Sequence, residues 1–199
     1  EAWWAKAAED VRWTKKWDHV LTNPRENFYN WFEGAELNTC FNAVDRHVEE
    51  GRADQLALIY DSPITGKQRK FTYAELQKKV AKFAGVLRGL GVEKGDRVII
   101  YMPMVPQAVI AILATSRIGA VHSVVFGGFA ANELATRIND ATPKVIVSGS
   151  CGIEPGRIVE YKPLLDAAID PAVHKPDACV ILQRPMEVAE LTPGRDQDW

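Results

Sequence analysis

The sequence is poor in several features that would point to a function at once. Only three of its 199 residues are cysteines, Cys40, Cys151 and Cys179, and they form no Cys-x-x-Cys pair, which argues against a disulfide framework and a zinc knuckle. The longest apolar run, residues 105–114, has about half of the ~20 residues that a membrane-spanning helix needs. Charge of neither sign dominates, since 24 Lys and Arg stand against 26 Asp and Glu. We therefore expect neither a nucleic-acid partner nor a membrane partner.

Three common active-site motifs are also missing. Gly66-Lys67 is followed by Gln68 instead of the Ser or Thr of a phosphate-binding loop. Gly89-Leu90-Gly91 lies at the end of a predicted helix, whereas the dinucleotide fingerprint joins a strand to the start of a helix. No serine lies in a Gly-x-Ser-x-Gly turn, and we interpret His122, inside an apolar run, as a core residue and not a catalytic base. These absences disfavour hydrolase chemistry and weaken the case for a nicotinamide oxidoreductase.

What is present is a regular alternation of apolar runs and helical patterns in the second half of the chain. Runs that predict strands cover residues 98–102, 121–126, 145–147 and 180–182, and helical patterns cover 106–118, 131–140 and 162–168. Short apolar strands with helices between them are typical of βαβ units, because parallel strands need a crossover. The fold class predicted is therefore α/β, with a parallel-rich sheet and flanking helices.

The first half of the chain has a different texture. Residues 1–36 hold five of the six tryptophans, and we expect an N-terminal arm that packs on the main body, residues 37–199. A helix is predicted over 39–50, and a hairpin over 56–72. Thr72 and Glu75 then form a capping box that begins another helix.

Two loops lie where α/β proteins keep their ligands, beyond the carboxyl ends of strands. In Phe126-Gly127-Gly128-Phe129 the glycines permit close backbone approach and the rings offer a flat surface to a planar group; a plain strand-to-helix turn is the alternative. In Gly152-Ile153-Glu154-Pro155-Gly156-Arg157 the arginine offers a fork of donors to a phosphate group; an ordinary surface arginine is the alternative. The residues alone predict two contact loops for an anionic ligand.

Five further segments have a distinctive sequence, namely Asn42–His47, Phe71–Leu76, Gly95–Val98, Tyr101–Met104 and Arg117–Phe129. In these segments the chain resembles the N-terminal part of the short-chain acyl-CoA synthetases. Trp31-Phe32-x-Gly34 and Ile59–Pro63 resemble the propionyl type and its animal short-chain relatives more than the acetyl type.

The resemblance implies an acid-thiol ligase that activates a carboxylate such as propionate or acetate with ATP and passes the acyl group to CoA. It implies CoA contacts at Phe126, Gly127 and Gly128, and contacts to CoA phosphates at Glu154, Pro155, Gly156 and Arg157. Acetyl-type members carry a further arginine where Glu154 stands, so the local charge is reversed here. Mg²⁺ is expected in the complete enzyme, with no ligands in this segment.

The resemblance also implies that the phosphate loop, the acyl pocket and the C-terminal domain follow residue 199. We therefore expect a fragment, residues 37–199 being part of the large domain, that forms no acyl-adenylate alone. A free-standing CoA-binding or nucleotide-binding module is the alternative, and continuation of the reading frame would distinguish the two. We expect a cytoplasmic protein, or a mitochondrial-matrix one if it is eukaryotic with a trimmed start.

Overall fold

The computed structural model describes residues 1–127 and 130–199. Its helices are α1 (Ala2–Ala7), α2 (Arg46–Glu49), α3 (Tyr73–Gly89), α4 (Pro106–Arg117), α5 (Ala131–Ala141) and α6 (Tyr161–Ile169), with a 3₁₀ turn at Ala8–Asp10 and a π-helical turn at Phe41–Asp45. Its strands are β1 (His19–Arg25), β2 (Phe28–Glu33), β3 (Leu56–Ser62), β4 (Lys67–Thr72), β5 (Arg97–Tyr101), β6 (Val121–Val125), β7 (Val145–Gly149), β8 (Cys151–Glu154), β9 (Arg157–Glu160), β10 (Ala178–Leu182) and β11 (Asp196–Asp198).

A five-stranded parallel sheet forms the centre of the molecule, which confirms the α/β prediction. Its order is β11-β10-β7-β5-β6, and all four pairings are parallel. The first strand of this sheet along the chain is β5. The next strand, β6, pairs with one side of β5, and β7 then pairs with the other side. The strand order therefore reverses between β5 and β7, and in open α/β sheets the ligand crevice lies at the carboxyl ends of the strands at this point.

Both faces of the sheet are covered, because side chains alternate between the two faces along each strand. Val98 and Ile100 of β5 belong to a core that includes residues of α3 and α4. Ile99 and Tyr101 of the same strand belong to a second core, with residues of α5 and α6. All four side chains are fully buried, so β5 is the strand on which both layers meet.

Helix α3 begins where the sequence predicts. The Thr72 side chain accepts a hydrogen bond from the Glu75 backbone N–H, and the Glu75 carboxylate accepts one from the Thr72 N–H. This reciprocal pair satisfies two backbone donors that would otherwise lack partners at the helix start. The preceding hairpin, β3 with β4, is antiparallel as predicted.

Five strands lie where none is predicted. Residues 152–157, expected to form a loop, belong to the hairpin of β8 and β9, whose two-residue turn is Pro155-Gly156. Gly156 has φ of +80°, the conformation that a type II turn with proline first requires of its third residue. Strand β11 extends the central sheet from a polar sequence, and β1 with β2 forms a hairpin within the arm.

In the arm, residues 1–36, the tryptophan rings pack mainly on one another. Trp13 and Trp17 both contact the Phe32 ring, with centroids 5.4 and 5.2 Å away, while Trp3 and Trp31 remain about half exposed or more. Polar contacts join the arm to the helical turn that follows it, among them the Arg12 N–H donating to Asn42.

The prediction that His122 is a core residue is wrong. Strand β6 is the edge of the sheet, and His122 is exposed there together with Val121 and Val124. An apolar run predicts a strand, but it does not distinguish a central strand from an edge strand.

Candidate functional site

An open cleft of about 520 Å³ lies at the carboxyl ends of β5 and β6. Met102 to Val105, which follow β5, form one wall, and Val124 to Gly127, at the end of β6, form another. Ile153, Glu154 and Tyr161 line it from the side of β8 and α6. The cleft therefore lies beyond the carboxyl ends of the parallel strands, the edge of the sheet at which this class of fold binds its ligands.

Of the predicted site residues, Phe126, Gly127 and Glu154 line this one cleft. Phe126 is 73% exposed, so most of this residue is accessible from the cleft. Pro155 and Gly156 form the turn of the neighbouring hairpin, and Arg157 follows it. Gly128 lies outside the described residues.

Gly127 is constrained by the protein itself. A Cβ atom at this position would lie 1.9 Å from the Tyr161 hydroxyl oxygen and 2.5 Å from its Cζ atom, far inside contact distance. A Cβ at Gly152 would lie 2.6 Å from the same oxygen. Gly127 does not adopt a left-handed backbone, so the glycine is needed here for close approach by the Tyr161 ring.

Tyr161 in turn stacks on Tyr101, with ring centroids 4.9 Å apart and an interplanar angle of 26°. The Tyr101 hydroxyl donates a hydrogen bond to the Gly127 carbonyl oxygen at 3.4 Å. Burial, and then the neighbouring Tyr161, raise the pKa of Tyr101 to about 12. Burial also raises the pKa of Tyr161, as does the nearby Glu154 carboxylate. Both phenols therefore stay neutral near pH 7. Their stacked rings pack against the Phe126-Gly127 turn.

The Arg157 guanidinium is engaged by Glu154. Its Nε and Nη2 atoms donate to the same carboxylate oxygen, Oε2, at 2.8 and 2.6 Å. The two side chains are 70% and 43% exposed, respectively. An ion pair this exposed contributes about 0–1 kcal/mol, so releasing Arg157 to another anion costs little.

Tyr101, Tyr161 and Arg184 also shape this end of the sheet and are missing from the predicted site residues. Arg184 lies two residues after the end of β10 and lines the same cleft. A charged residue placed just beyond a buried apolar strand is a signal that the sequence carries. The signal for Tyr161 is weaker, because the residue begins a helix and its contact with Gly127 depends on the tertiary fold.

A further cavity of about 620 Å³ lies beside Asp45 and Arg117. Because α4 runs antiparallel to the strands, Arg117 at its end lies near their amino ends, away from the cleft. Its Nη1 and Nη2 atoms both donate to the Asp45 carboxylate, at 3.0 and 2.7 Å. These two charges satisfy each other, so they offer little to a charged ligand.

The described residues contain no cluster of three His, Cys, Asp or Glu side chains able to hold a metal ion. All three cysteines are buried and free. Across residues 1–127 and 130–199, no helix combines the length and the apolar character that crossing a bilayer requires.

The chain is similar to known proteins along its whole length. Residues 44–198 match the family model described as AMP-binding enzyme, and residues 1–43 match acetyl-coenzyme A synthetase N-terminus. The whole chain is 52% identical over 200 residues to acyl-CoA synthetase short-chain family member 3, mitochondrial, of Homo sapiens, and 44% identical over 199 residues to the propionate–CoA ligase of Salmonella typhimurium.

A solved structure, acetoacetyl-CoA synthetase from Streptomyces lividans, superposes with a TM-score of 0.86 at 30% identity. It covers 98% of this chain, and the chain covers 30% of it. The chain likewise spans 29% of the human relative and 32% of the Salmonella relative.

Proposed function

Because this chain belongs to the family of AMP-binding enzymes, we propose that it supplies the CoA-facing part of a short-chain acyl-CoA synthetase. The reaction is the activation of a short-chain carboxylate, such as propionate or acetate, by ATP, giving an acyl-adenylate and diphosphate. The CoA thiol then displaces AMP to give the acyl-CoA. The names of the human and Salmonella relatives support this class of substrate.

The cleft at the carboxyl ends of β5 and β6 carries the proposal, because Phe126, Gly127 and Glu154 line it together. Sequence positions about 30 residues apart meet there, and one flat exposed ring and one exposed guanidinium lie at the same end of the sheet. A nucleotide that bears phosphates needs both kinds of contact.

Each residue has a distinct role in the proposal. Phe126 stacks on a planar part of CoA, and Arg157 donates to a CoA phosphate after Glu154 releases it. The stacked rings of Tyr101 and Tyr161 pack against Gly127 and so position the turn that carries Phe126. Holding the thiol carrier in place makes the second half-reaction effectively unimolecular, and this positioning is the part of catalysis that these residues supply. We assign no residue of the chain to Mg²⁺ or to adenylate formation.

Binding of CoA to the chain tests the proposal. By isothermal titration calorimetry, Arg157→Ala should weaken CoA binding by about 1 to 3 kcal/mol, the cost of a lost charge-assisted hydrogen bond. Arg12→Ala is a matched control, because Arg12 also forms an exposed ion pair, with Glu50 at 3.1 Å. Equal CoA affinities for Arg157→Ala and the unaltered chain would refute the assigned role.

A further inference from the structure

Arg184 is a buried cation without a carboxylate partner. The residue is only 9% exposed, and its Nη1 atom donates to the Cys151 carbonyl oxygen at 2.9 Å. In the part of the chain that the structure describes, no Asp or Glu oxygen lies within ion-pair distance of Arg184. Its Nε and Nη2 atoms have no acceptor there, although they are not fully enclosed. A largely buried charge gains from a partner, so a site of this kind favours an anion from outside the chain.

Arg184 lines a second, smaller cavity of about 170 Å³. Lys67 and Arg69, on one face of β4, line the same cavity. None of the described residues around it is an Asp or a Glu, and neither Lys67 nor Arg69 forms an ion pair within residues 1–127 and 130–199. Three positive charges therefore face one small space with no negative charge to balance them.

Uncharged polar groups complete this cavity. The Thr65 hydroxyl oxygen is buried without a hydrogen-bond partner, and Thr65 lines the cavity. Pro106 and Gln107, in the first turn of α4, line it as well, and no side chain caps the start of that helix. Backbone N–H groups and the helix dipole favour negative charge at such an end.

We infer that this cavity, formed by Lys67, Arg69 and Arg184 at the start of α4, binds a phosphate group. A phosphate offers a charge near −2 and at least three strong acceptor oxygens, which suits three cations and an unsatisfied hydroxyl better than a single carboxylate does. The site differs from the predicted contacts at Phe126–Gly128 and Glu154–Arg157, and the inference does not depend on the proposed function. The cavity shares four residues with the larger cleft, namely Tyr60, Thr65, Val105 and Arg184. A phosphate on a ligand in that cleft is therefore one source, and a free inorganic anion is the other.

The test is calorimetric titration of the chain with inorganic diphosphate at low ionic strength. Lys67→Ala/Arg69→Ala should weaken binding at least tenfold, which corresponds to about 1.4 kcal/mol. Lys70→Ala is the matched control, because Lys70 lies on the same strand but on the opposite face. Lys67 and Arg69 are exposed, so the double variant should fold, as circular dichroism would verify. Arg184→Gln tests the buried cation separately.

Competition then identifies the source of the phosphate. If CoA displaces diphosphate, and Lys67→Ala/Arg69→Ala weakens both ligands, the phosphate belongs to CoA. If both ligands bind together, the site takes a free anion, and the inference stands in either case. No heat from diphosphate, or equal affinities in the double variant and Lys70→Ala, would overturn it. The failure of this inference and that of the proposed function are separable, because diphosphate binding is tested at Lys67 and Arg69 and CoA binding at Arg157.

Discussion

Replacing Gly127 by alanine places a methyl group against the Tyr161 ring, at 1.9 Å from the hydroxyl oxygen and 2.5 to 2.7 Å from two ring carbons. Real contacts of a Cβ atom are longer than this, so either the turn or the ring must move. The ring has little freedom, because it is buried, stacks on Tyr101 and meets Gly152 on another side. We therefore expect Gly127→Ala to destabilise the fold.

The expected loss is about 1 to 3 kcal/mol of unfolding free energy, the usual cost of forcing an extra methylene into a packed interior. The upper part of this range is favoured, since the obstacle is an aromatic ring held on two sides and not the end of a flexible side chain. Because the conflict is with one side chain, it should disappear when that side chain is removed. In a Tyr161→Ala background the same substitution should cost close to nothing, and a double-mutant cycle measures this coupling.

Equilibrium unfolding in urea gives the required free energies. Gly85→Ala is the control, because a Cβ at Gly85 meets nothing within 4 Å and the residue lies inside α3. That change should stabilise the chain by about 0.5 to 1 kcal/mol, from helix propensity. The reasoning fails if Gly127→Ala unfolds at the same urea concentration as the unaltered chain, or if Tyr161→Ala does not relieve the loss.

Three further substitutions test separate parts of the structure. Glu154→Gln should free Arg157 and raise CoA affinity by up to about fivefold, the value of an exposed ion pair; calorimetry would show this, and a loss of affinity would contradict it. Thr72→Ala should cost about 1 kcal/mol in urea unfolding by removing a helix cap. Asp196→Asn should destabilise the chain by about 3 kcal/mol, because the Asp196 side chain is fully buried against Lys162 at 3.0 Å. Burial raises the pKa of Asp196, but hydrogen bonds, from Arg195 first, outweigh burial and hold that pKa below its usual 3.8. The stabilisation by this carboxylate is therefore present above about pH 4 and disappears as the pH falls through the lowered pKa, and an acid titration of the Asn variant should lack that step.

The central sheet could be predicted because its strands are continuous apolar runs that differ from the amphipathic helices between them. Residues of β5 face two cores at once, so the run has no polar interruption. The capping box at Thr72 is equally local, since it depends on two residues three positions apart. Features of this kind depend on residues close together in the sequence, so they can be predicted without the tertiary fold.

The elements that escaped prediction carry no apolar pattern that can be read from their own residues. Strand β11 consists of Asp196, Gln197 and Asp198 and has no apolar pattern, but it pairs with β10 while the buried Asp196 meets Lys162 and Arg195. The hairpin of β8 and β9 has strands of only four residues each, too short for a period to be read.

The candidate site divides in the same way. Phe126, Gly127 and the 154–157 segment could be picked out because glycine, proline and arginine follow apolar strands. The contact between Gly127 and Tyr161 could not be predicted, because the two residues are 34 positions apart and meet only in the tertiary fold. The ion pair between Glu154 and Arg157 was likewise hidden, since a hairpin turn and not a helix brings the two side chains together.

Strand β6 leaves one side of its backbone ladder without a neighbour within the described residues, and its Val121 and Val124 side chains face solvent. An exposed, apolar edge strand of this kind can form backbone hydrogen bonds with another extended polypeptide. We expect two copies of the chain to pair along this edge in concentrated solution, so that the sheet continues from one molecule into the next. A single lysine in place of Val124 would oppose such growth, and light scattering at increasing protein concentration would record the difference.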